Sequence, residues 1–310
     1  MNNPLDILNY EERISLLLRS MYQDAGYRQY KMSKFEEYDL YVANKDFLLS
    51  ENVITFTDTD GKLLALKPDV TLSIIKNSKD EPDSLMKVYY NESVYRVAKG
   101  TRFFKEFMQV GLECLGEITD ELTLEVLSLA AKSLELISTD SILEISDLDI
   151  VSSVLDASGA SSEARIELLS ALGEKNLGRI KEIIKNEEIC EPCASALERL
   201  STLYGSVESV TGELDAFALD ENSSVAVQSF KKLLSALTLA NISDRVVVDF
   251  SVVNNMNYYS GISFKGFVNG IPTGVLGGGR YDKLMRKMNK RSSAIGFAVY
   301  LDELSRLSEV

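Results

Sequence analysis

The 310-residue chain contains no histidine, three cysteines and five prolines. Without histidine it cannot build a histidine-based catalytic triad or use a histidine general base. Cys190 and Cys193 form a CxxC pair, but a structural zinc site takes about four Cys or His ligands. We therefore expect no metal site. The simplest interpretation of the pair is two small residues in a helical segment of a reduced, cytoplasmic protein.

Positive charge and long apolar runs are also scarce. There are 33 Lys and Arg residues against 47 Asp and Glu, which gives a net charge of -14. Nucleic-acid binding draws on basic patches that neutralise phosphates, so this balance argues against a chain built mainly to hold tRNA. The longest apolar runs are too short for a transmembrane helix, and the N-terminus does not resemble a signal peptide. We expect a cytoplasmic protein that contacts neither tRNA nor membrane.

Hydrophobic periodicity predicts an α+β fold in which helices flank an antiparallel sheet. Helical patterns cover residues 10–25, 69–77 and 120–137, and strand patterns cover residues 87–96, 105–115 and 141–148. Asp120 is a candidate cap for the third helix. Asn269-Gly270, between apolar runs, predicts a tight hairpin.

Residues 151–240 differ from the rest of the chain in composition and hydrophobic pattern. They are rich in Ala, Leu, Glu, Lys and Ser at helical spacing and have few aromatic residues. Strand-like sequence returns at Arg245. We therefore predict a core formed by residues 1–150 and 241–310, interrupted by an all-helical insertion at 151–240.

The predicted strand around residues 107–115 offers one candidate site. Side chains alternate between faces along a strand, so Gln109, Gly111 and Glu113 share a face opposite an apolar one. The glycine leaves room for a ligand to approach the backbone. A simple solvated face is an equally good interpretation of this pattern alone.

Two further segments could contribute to a site. In LKPDVT, Asp69 and Thr71 lie at a loop-to-helix junction, where capping is the favoured role on pattern alone. The glycines before Tyr281 permit close backbone approach, but their spacing is neither that of a P-loop nor GxGxxG. Tyr258 and Tyr259 would point to opposite faces of a strand, so only one of them is expected in a given pocket.

Together these segments resemble histidyl-tRNA synthetases. LKPDVT resembles their LRPEGT segment, and VYYNESVYRV with FMQVGLECLG resembles class II motif 2. MNYYSG resembles the histidine-specific LDYYTG segment, and GGGRYDKL with AIGFAVYLDEL resembles the motif 3 region. The similarity spans roughly residues 10–148 and 245–307 in the family's order. It implies a class II aminoacyl-tRNA synthetase-like fold.

The resemblance also implies a histidine-binding pocket. Carboxylates in it would pair with an α-ammonium, and carboxylate or tyrosine groups would take the imidazole hydrogens. The motif 2 arginine would meet the amino-acid carboxylate and the α-phosphate. The matching positions here are Asp69, Thr71, Arg96, Gln109, Glu113, Tyr258, Tyr259 and Tyr281.

The departures from the family pattern fall where ATP would be held. Asn254 takes the place of a catalytic arginine, Glu303 that of the motif 3 arginine, and Ala98 that of a motif 2 glutamate. Adenylate formation requires cations against developing phosphate charge. We therefore expect no catalytic residues and no cofactor. The sequence ends at Val310, and we expect no anticodon-binding domain.

A chain that keeps the amino-acid pocket but lacks the ATP-binding arginine resembles one branch of the family in particular, the regulatory subunits of ATP phosphoribosyltransferase. That similarity implies association with the short catalytic subunit, a requirement for its activity and a role in histidine feedback. It also implies a homodimer, formed through residues 27–45 within a hetero-oligomer, although Ser33 replaces the motif 1 proline. The alternatives are a histidine-activating ligase without an anticodon domain and a scaffold with a vestigial pocket.

Overall fold

The computed structural model describes residues 7–48, 52–80, 84–98, 101–253, 256 and 258–307. Asn254, predicted to replace a catalytic arginine, lies outside these described residues. The helices are α1 Tyr10–Asp24, α2 Tyr38–Ala43, α3 Thr71–Asn77, α4 Asp120–Ile137, α5 Leu148–Ala157, α6 Ser162–Gly173, α7 Leu177–Asn186, α8 Glu191–Thr202, α9 Val207–Thr211, α10 Glu221–Leu239 and α11 Asp282–Lys287.

The strands form one large and one small sheet. They are β1 Arg28–Gln29, β2 Phe35–Glu37, β3 Thr55–Thr57, β4 Leu63–Leu66, β5 Met86–Val97, β6 Phe104–Gly116, β7 Ser141–Asp147, β8 Tyr204–Ser206, β9 Val246–Asp249, β10 Ile262–Val268, β11 Leu276–Arg280 and β12 Ser293–Tyr300. The large sheet has the order β1-β5-β6-β12-β11-β10-β7-β9-β8, and the small sheet has the order β2-β4-β3.

The predicted α+β class is confirmed, but the large sheet is mixed and not wholly antiparallel. Its centre, from β5 to β7, is antiparallel. The pairs β1–β5 and β7–β9 are parallel. A parallel pair needs a long crossover, and the helical segment after β7 provides it before the chain returns as β9.

Alternation along β6 separates a core face from a polar one. Val110, Leu112 and Cys114 are fully buried in the hydrophobic core that also contains side chains of α1 and α4. Met108, predicted on the same apolar face, is 39% exposed because it lies near the end of the hairpin. The opposite face of β6 carries Gln109 and Glu113, and this is the face where the cavity described below forms.

Local details differ from the sequence-based expectations at α4 and at the β10–β11 hairpin. The cap of α4 is Thr119 and not Asp120: the extended Thr119 accepts a hydrogen bond from the backbone N–H of Leu122. Asn269 and Gly270 do form a turn, closed by Ile271 N–H donating to Val268 O. The strands do not pair again directly after it, so the hairpin loop is longer than a tight two-residue turn.

The segment at 151–240 is helical except for β8. This strand pairs antiparallel with β9 and so joins the large sheet. Within the part of the chain that the structure describes, no helix is both long and apolar enough to cross a membrane.

Candidate functional site

A cavity of about 90 Å³ lies on the polar face of the central strands. It is enclosed by β5, β6, β11 and β12, by the start of α3 and by the segment before β10. All eight residues predicted for the site line it: Asp69, Thr71, Arg96, Gln109, Glu113, Tyr258, Tyr259 and Tyr281. The structure thus brings these separate motifs together around one cavity, and their binding role stays a prediction.

Strand register explains why there is space above the sheet. Gly296 of β12 lies opposite Glu113, and Ala298 lies opposite Gly111. On the next strand, Gly277 lies opposite Ala298. Small residues on three neighbouring strands thus leave space above the sheet, which forms the floor of the cavity. At Gly296 the fit is tightest, because a Cβ there would lie 1.8 Å from Glu113 Oε2.

The centre of the cavity is the carboxyl of Glu113, which is 2% exposed. Thr71 Oγ1 donates a hydrogen bond to Glu113 Oε1 at 2.8 Å, and Tyr281 OH donates to Oε2 at 2.5 Å. Burial raises the pKa of Glu113 to about 8; the bonds from Tyr281 and Thr71 lower it, and the charge of Asp69 raises it. The solvated-face interpretation of this strand is wrong, because the side chain is enclosed and paired.

Asp69 and Arg96 form a second polar group in the cavity. Arg96 Nη2 lies 3.9 Å from Asp69 Oδ2, and Arg96 Nε donates to Pro68 O. Asp69 Oδ1 also accepts from the N–H of Leu72, as a capping group would. Burial raises the pKa of Asp69, while Arg96 and the backbone hydrogen bonds lower it.

A buried ion pair anchors the segment that carries Asp69 and Thr71. The side chain of Lys67 is fully buried and its Nζ pairs with Glu92 of β5. Burial lowers the pKa of Lys67, and the bond to Glu92 raises it. The Lys67 carbonyl also accepts from the N–H of Tyr95. These contacts fix the LKPDVT segment against β5, so its polar side chains are held over the sheet.

The expectation that only one of Tyr258 and Tyr259 reaches the pocket is wrong. Both line the cavity, with ring centroids 4.7 Å apart in an edge-to-face arrangement. The reason is that these residues precede β10 and do not form a strand, so their side chains need not alternate. The ring centroid of Tyr258 also lies 5.9 Å from that of Tyr281, and the two rings are tilted by 55°. Burial raises the pKa of all three phenols, which therefore carry hydrogens at neutral pH.

Four aromatic residues of the cavity were missed from sequence: Phe47, Tyr90, Phe297 and Tyr300. Tyr90 lies opposite Gly111, and Tyr300 lies opposite Gln109. Knowledge of the strand register would have found both, because each shares a face with a predicted residue. No local signal marks Phe47, which reaches the cavity from a short 3-10 helix after α2.

The arrangement suits a small zwitterion. Two carboxyl groups can receive an ammonium group, a guanidinium can pair with a carboxylate, and phenols can bind ring nitrogens. Among the residues that the structure describes, no group of three or more Cys, Asp and Glu is placed to hold a metal ion. The cavity thus has the groups for amino-acid recognition.

Glu303 lies outside this cavity. Its Oε2 accepts a hydrogen bond from Thr273 Oγ1 at 2.6 Å and lies 3.5 Å from Arg306 Nη1. The side chain is thus engaged at the β10–β11 loop. That this residue replaces the motif 3 arginine of the family pattern stays a prediction from sequence.

Comparison with known proteins agrees with this fold. The family model for histidyl-tRNA synthetase matches residues 6–304. The chain therefore belongs to the histidyl-tRNA synthetase family.

Its curated relatives belong to a particular branch of that family. An ATP phosphoribosyltransferase regulatory subunit of Caldanaerobacter subterraneus is 30% identical over 301 residues, which cover 95% of this chain and 78% of that protein. A protein of the same name from Acetivibrio thermocellus is 27% identical over 296 residues, covering 94% and 70%. These matches place the chain among the ATP phosphoribosyltransferase regulatory subunits.

Solved structures show the same fold. An ATP phosphoribosyltransferase regulatory subunit/histidyl-tRNA synthetase from Bacillus halodurans aligns with a TM-score of 0.83 at 24% identity, covering 98% of this chain and 82% of that chain. The ATP phosphoribosyl transferase (HisG:HisZ) complex from Thermotoga maritima aligns with a TM-score of 0.73 at 20% identity, covering 95% and 98%. At these sequence identities, the structural similarity shows that the fold is shared and nothing further.

The contact between Gly296 and Glu113 can be tested by adding one methyl group. In Gly296→Ala the new Cβ would meet Glu113 Oε2 and lie 2.5 Å from Leu112 O. We expect a loss of about 1–3 kcal/mol in the free energy of unfolding, measured with urea. Gly212→Ala is the control, because nothing lies within 4 Å of a Cβ there. Equal effects of the two substitutions would contradict the described packing.

The raised pKa of Glu113 predicts how stability depends on pH. Between its ordinary value of 4.5 and about 8, the folded chain keeps a proton that the unfolded chain has lost. The free energy of unfolding should therefore fall as pH rises through this window. Glu113→Gln should reduce this fall by on the order of a few kcal/mol in urea titrations at about pH 5 and about pH 8. The part due to Asp147, whose pKa burial raises to about 7, should remain.

The control for that measurement is Glu182→Gln, which changes an exposed glutamate of α7. It should keep the pH dependence of the parent chain. If Glu113→Gln keeps the pH dependence of the parent chain in full, the proton is not held by Glu113.

Proposed function

We propose that this chain is a non-catalytic regulatory subunit that binds L-histidine and the short catalytic subunit of ATP phosphoribosyltransferase. In this role it is required for activity of that subunit and relays histidine feedback in the first step of histidine biosynthesis. The observation that carries the proposal is the enclosed Glu113 carboxyl, held by Thr71 and Tyr281 in a cavity that also contains Arg96. The matched relatives are named ATP phosphoribosyltransferase regulatory subunits.

Histidine would use the three kinds of group that the cavity offers. Its ammonium group would pair with the carboxylates of Glu113 and Asp69, and its carboxylate with Arg96. The phenols and Gln109 would bind the imidazole nitrogens. Entry of a cation next to Glu113 would favour the charged carboxylate, so binding would release the proton held in the empty cavity.

The arrangement around Glu303 supports a role without catalysis. Amino-acid activation by ATP develops negative charge on phosphate, which preorganised cations stabilise. Glu303 supplies a carboxylate at the position where the family pattern has arginine, and Thr273 holds it. Arg96 is retained, and it is the feature that favours the alternative, a histidine-activating ligase.

A feedback signal requires that the ligand bind two states of the assembly differently. Tyr258 and Tyr259 are close in sequence to Gly261. The N–H of Gly261 donates to Asp149 Oδ1 at 3.1 Å. The Gly261 carbonyl accepts from the N–H of Leu148 at 2.8 Å. Both partners are in the first turn of α5. A shift of Tyr258 and Tyr259 on binding would thus act on the helical segment through two hydrogen bonds.

Calorimetry tests the histidine site on the complex with the catalytic subunit. Histidine should bind with measurable heat, and its affinity should rise as pH approaches about 8, because the proton on Glu113 competes with the ligand. Glu113→Gln should weaken binding about tenfold or more through loss of the charged hydrogen bond. Glu182→Gln should bind like the parent chain. Absence of histidine-dependent heat together with normal activation of the partner would favour the vestigial scaffold.

Co-expression with a short ATP phosphoribosyltransferase catalytic subunit tests the partner. The two chains should purify together, and the catalytic subunit should be active only in the complex. The same preparation should give no pyrophosphate exchange with histidine and ATP. Robust exchange would instead support the ligase, and failure of the chains to associate would refute the proposed role.

We also propose that the chain forms a homodimer through the surface of residues 27–45 and the small sheet. Phe35, Val42, Phe56 and Leu63 are each 39–48% exposed there, and the rings of Phe35 and Phe56 lie 5.5 Å apart. Light scattering should give twice the chain mass, and Phe35→Asp should give the monomer mass. Ile166→Asp, at another exposed apolar residue, should leave the dimer intact. A monomeric parent chain would contradict this.

A further inference from the structure

The CxxC pair has a more specific setting in the structure than its sequence suggested. Cys190 is the N-cap of α8, with extended backbone angles of φ -65° and ψ 152°, and its side chain makes no capping hydrogen bond. Cys193 follows in the first turn, and Pro192 lies between them. The thiol of Cys190 is exposed, whereas Cys193 is 5% exposed. One sulfur is thus accessible to solvent and the other is covered.

The two cysteines lie one helical turn apart at the start of α8, because Cys190 is the N-cap and Cys193 is the third helical residue. The Cys193 thiol donates to the carbonyl oxygen of Ala157, the last residue of α5, at 3.3 Å. Burial raises the pKa of Cys193 to about 11, and the neighbouring Cys190 and Asp220 add to the rise. Cys193 is therefore a protonated, shielded thiol within reach of an exposed one.

The exposed thiol lies where a helix favours negative charge. The N–H groups of the first turn have no partners within the helix, and the macrodipole is positive at this end. Pro192 contributes no N–H of its own, and α8 is long enough for a developed dipole. Nucleophilic cysteines of CxxC dithiols occupy such positions, because the attacking species is the thiolate.

The third cysteine provides a contrast. Cys114 is fully buried in β6 and shares a hydrogen bond with the Tyr27 hydroxyl. Burial raises its pKa to about 12. No other cysteine lies beside it in the described part of the chain. An inert structural thiol and a paired, half-exposed dithiol thus occur in the same molecule.

We propose that Cys190 and Cys193 form a redox-active dithiol that exchanges with low-molecular-weight disulfides. The Cys190 thiolate attacks one sulfur of the small disulfide and releases one thiol, leaving a mixed disulfide. Cys193 then loses its proton to solvent and its sulfur attacks Cys190, which releases the second small thiol, protonated by solvent. The protein loses two hydrogens and two electrons, and the small disulfide gains them as two thiols. This proposal does not depend on the function proposed above.

The experiment uses oxidised glutathione as the probe on the full chain, followed by alkylation of free thiols, trypsin cleavage and mass spectrometry. Cleavage after Lys185 and Arg199 leaves both cysteines of the pair in peptide 186–199, and cleavage after Lys105 and Lys132 leaves Cys114 in peptide 106–132. We expect peptide 186–199 to lose two hydrogens and to resist alkylation. The Cys114 peptide should remain reduced, and dithiothreitol should reverse the change.

Two variants separate the roles of the thiols. In Cys193→Ser, Cys190 should keep a stable glutathione adduct, because the resolving thiol is gone. In Cys190→Ser, reaction at Cys193 should be at least about tenfold slower than reaction of Cys190, because the remaining thiol is covered. Serine is a favourable N-cap, so this second variant is expected to fold, and circular dichroism checks both.

Three results would overturn the proposal. One is a parent chain that does not react, or that reacts at Cys114 as fast as at the pair. Another is a parent chain that accumulates the mixed disulfide without closing it. The third is a Cys190→Ser variant that takes up glutathione at the parent rate, since Cys193 would then be the nucleophile.

Discussion

The hydrogen bonds to the buried carboxyl of Glu113 are the interaction on which the pocket depends. They join Thr71 at the start of α3, the middle of β6, and Tyr281 at the start of α11. Burying a carboxyl without hydrogen-bond partners costs free energy, and these two donors offset that cost. The same requirement fixes Gly296 on β12, because a side chain there would occupy the space of the carboxyl. Three distant segments are thereby held in one arrangement.

The charge balance at this point gives the pocket its chemistry. Arg96 is directed to Asp69 and the Pro68 carbonyl, so Glu113 has only neutral hydrogen-bond donors. Burial raises the pKa of Glu113 to about 8, so this carboxyl holds a proton at neutral pH. The cationic ligand proposed above would take the place of that proton, so its recognition and the release of a proton would be one event. A pocket built around a fixed lysine or arginine would lack this coupling.

Much of this architecture could be predicted from sequence because it follows local rules. The period-two pattern of β6 separates the core face from the face with Gln109 and Glu113, and both faces are found as predicted except at the exposed Met108. The helical pattern of residues 120–137 gives α4 at the predicted bounds. Order and spacing of the motifs identified the synthetase-like core, so eight predicted residues meet at one cavity.

What sequence could not supply depends on register and on irregular backbone. Tyr90 and Tyr300 enter the cavity only because of the residues they face on neighbouring strands. Tyr258 and Tyr259 share a pocket because the chain does not form a strand there. The cap of α4 falls on Thr119 because that residue is extended while Asp120 is already helical. In each case, the outcome is set by a neighbour or by a backbone angle that composition does not encode.

Strand β8 joins the helical segment to the large sheet, so the segment is not an independent unit that can be removed without effect. Its three residues hydrogen-bond to β9, which in turn pairs with β7. Deleting residues 151–240 would therefore leave β9 with unpaired backbone groups along one side. Such an open strand invites pairing with other molecules. In the intact chain the three-residue β8 pairs with this side of β9, so a core without the segment would expose a strand edge that β8 covers.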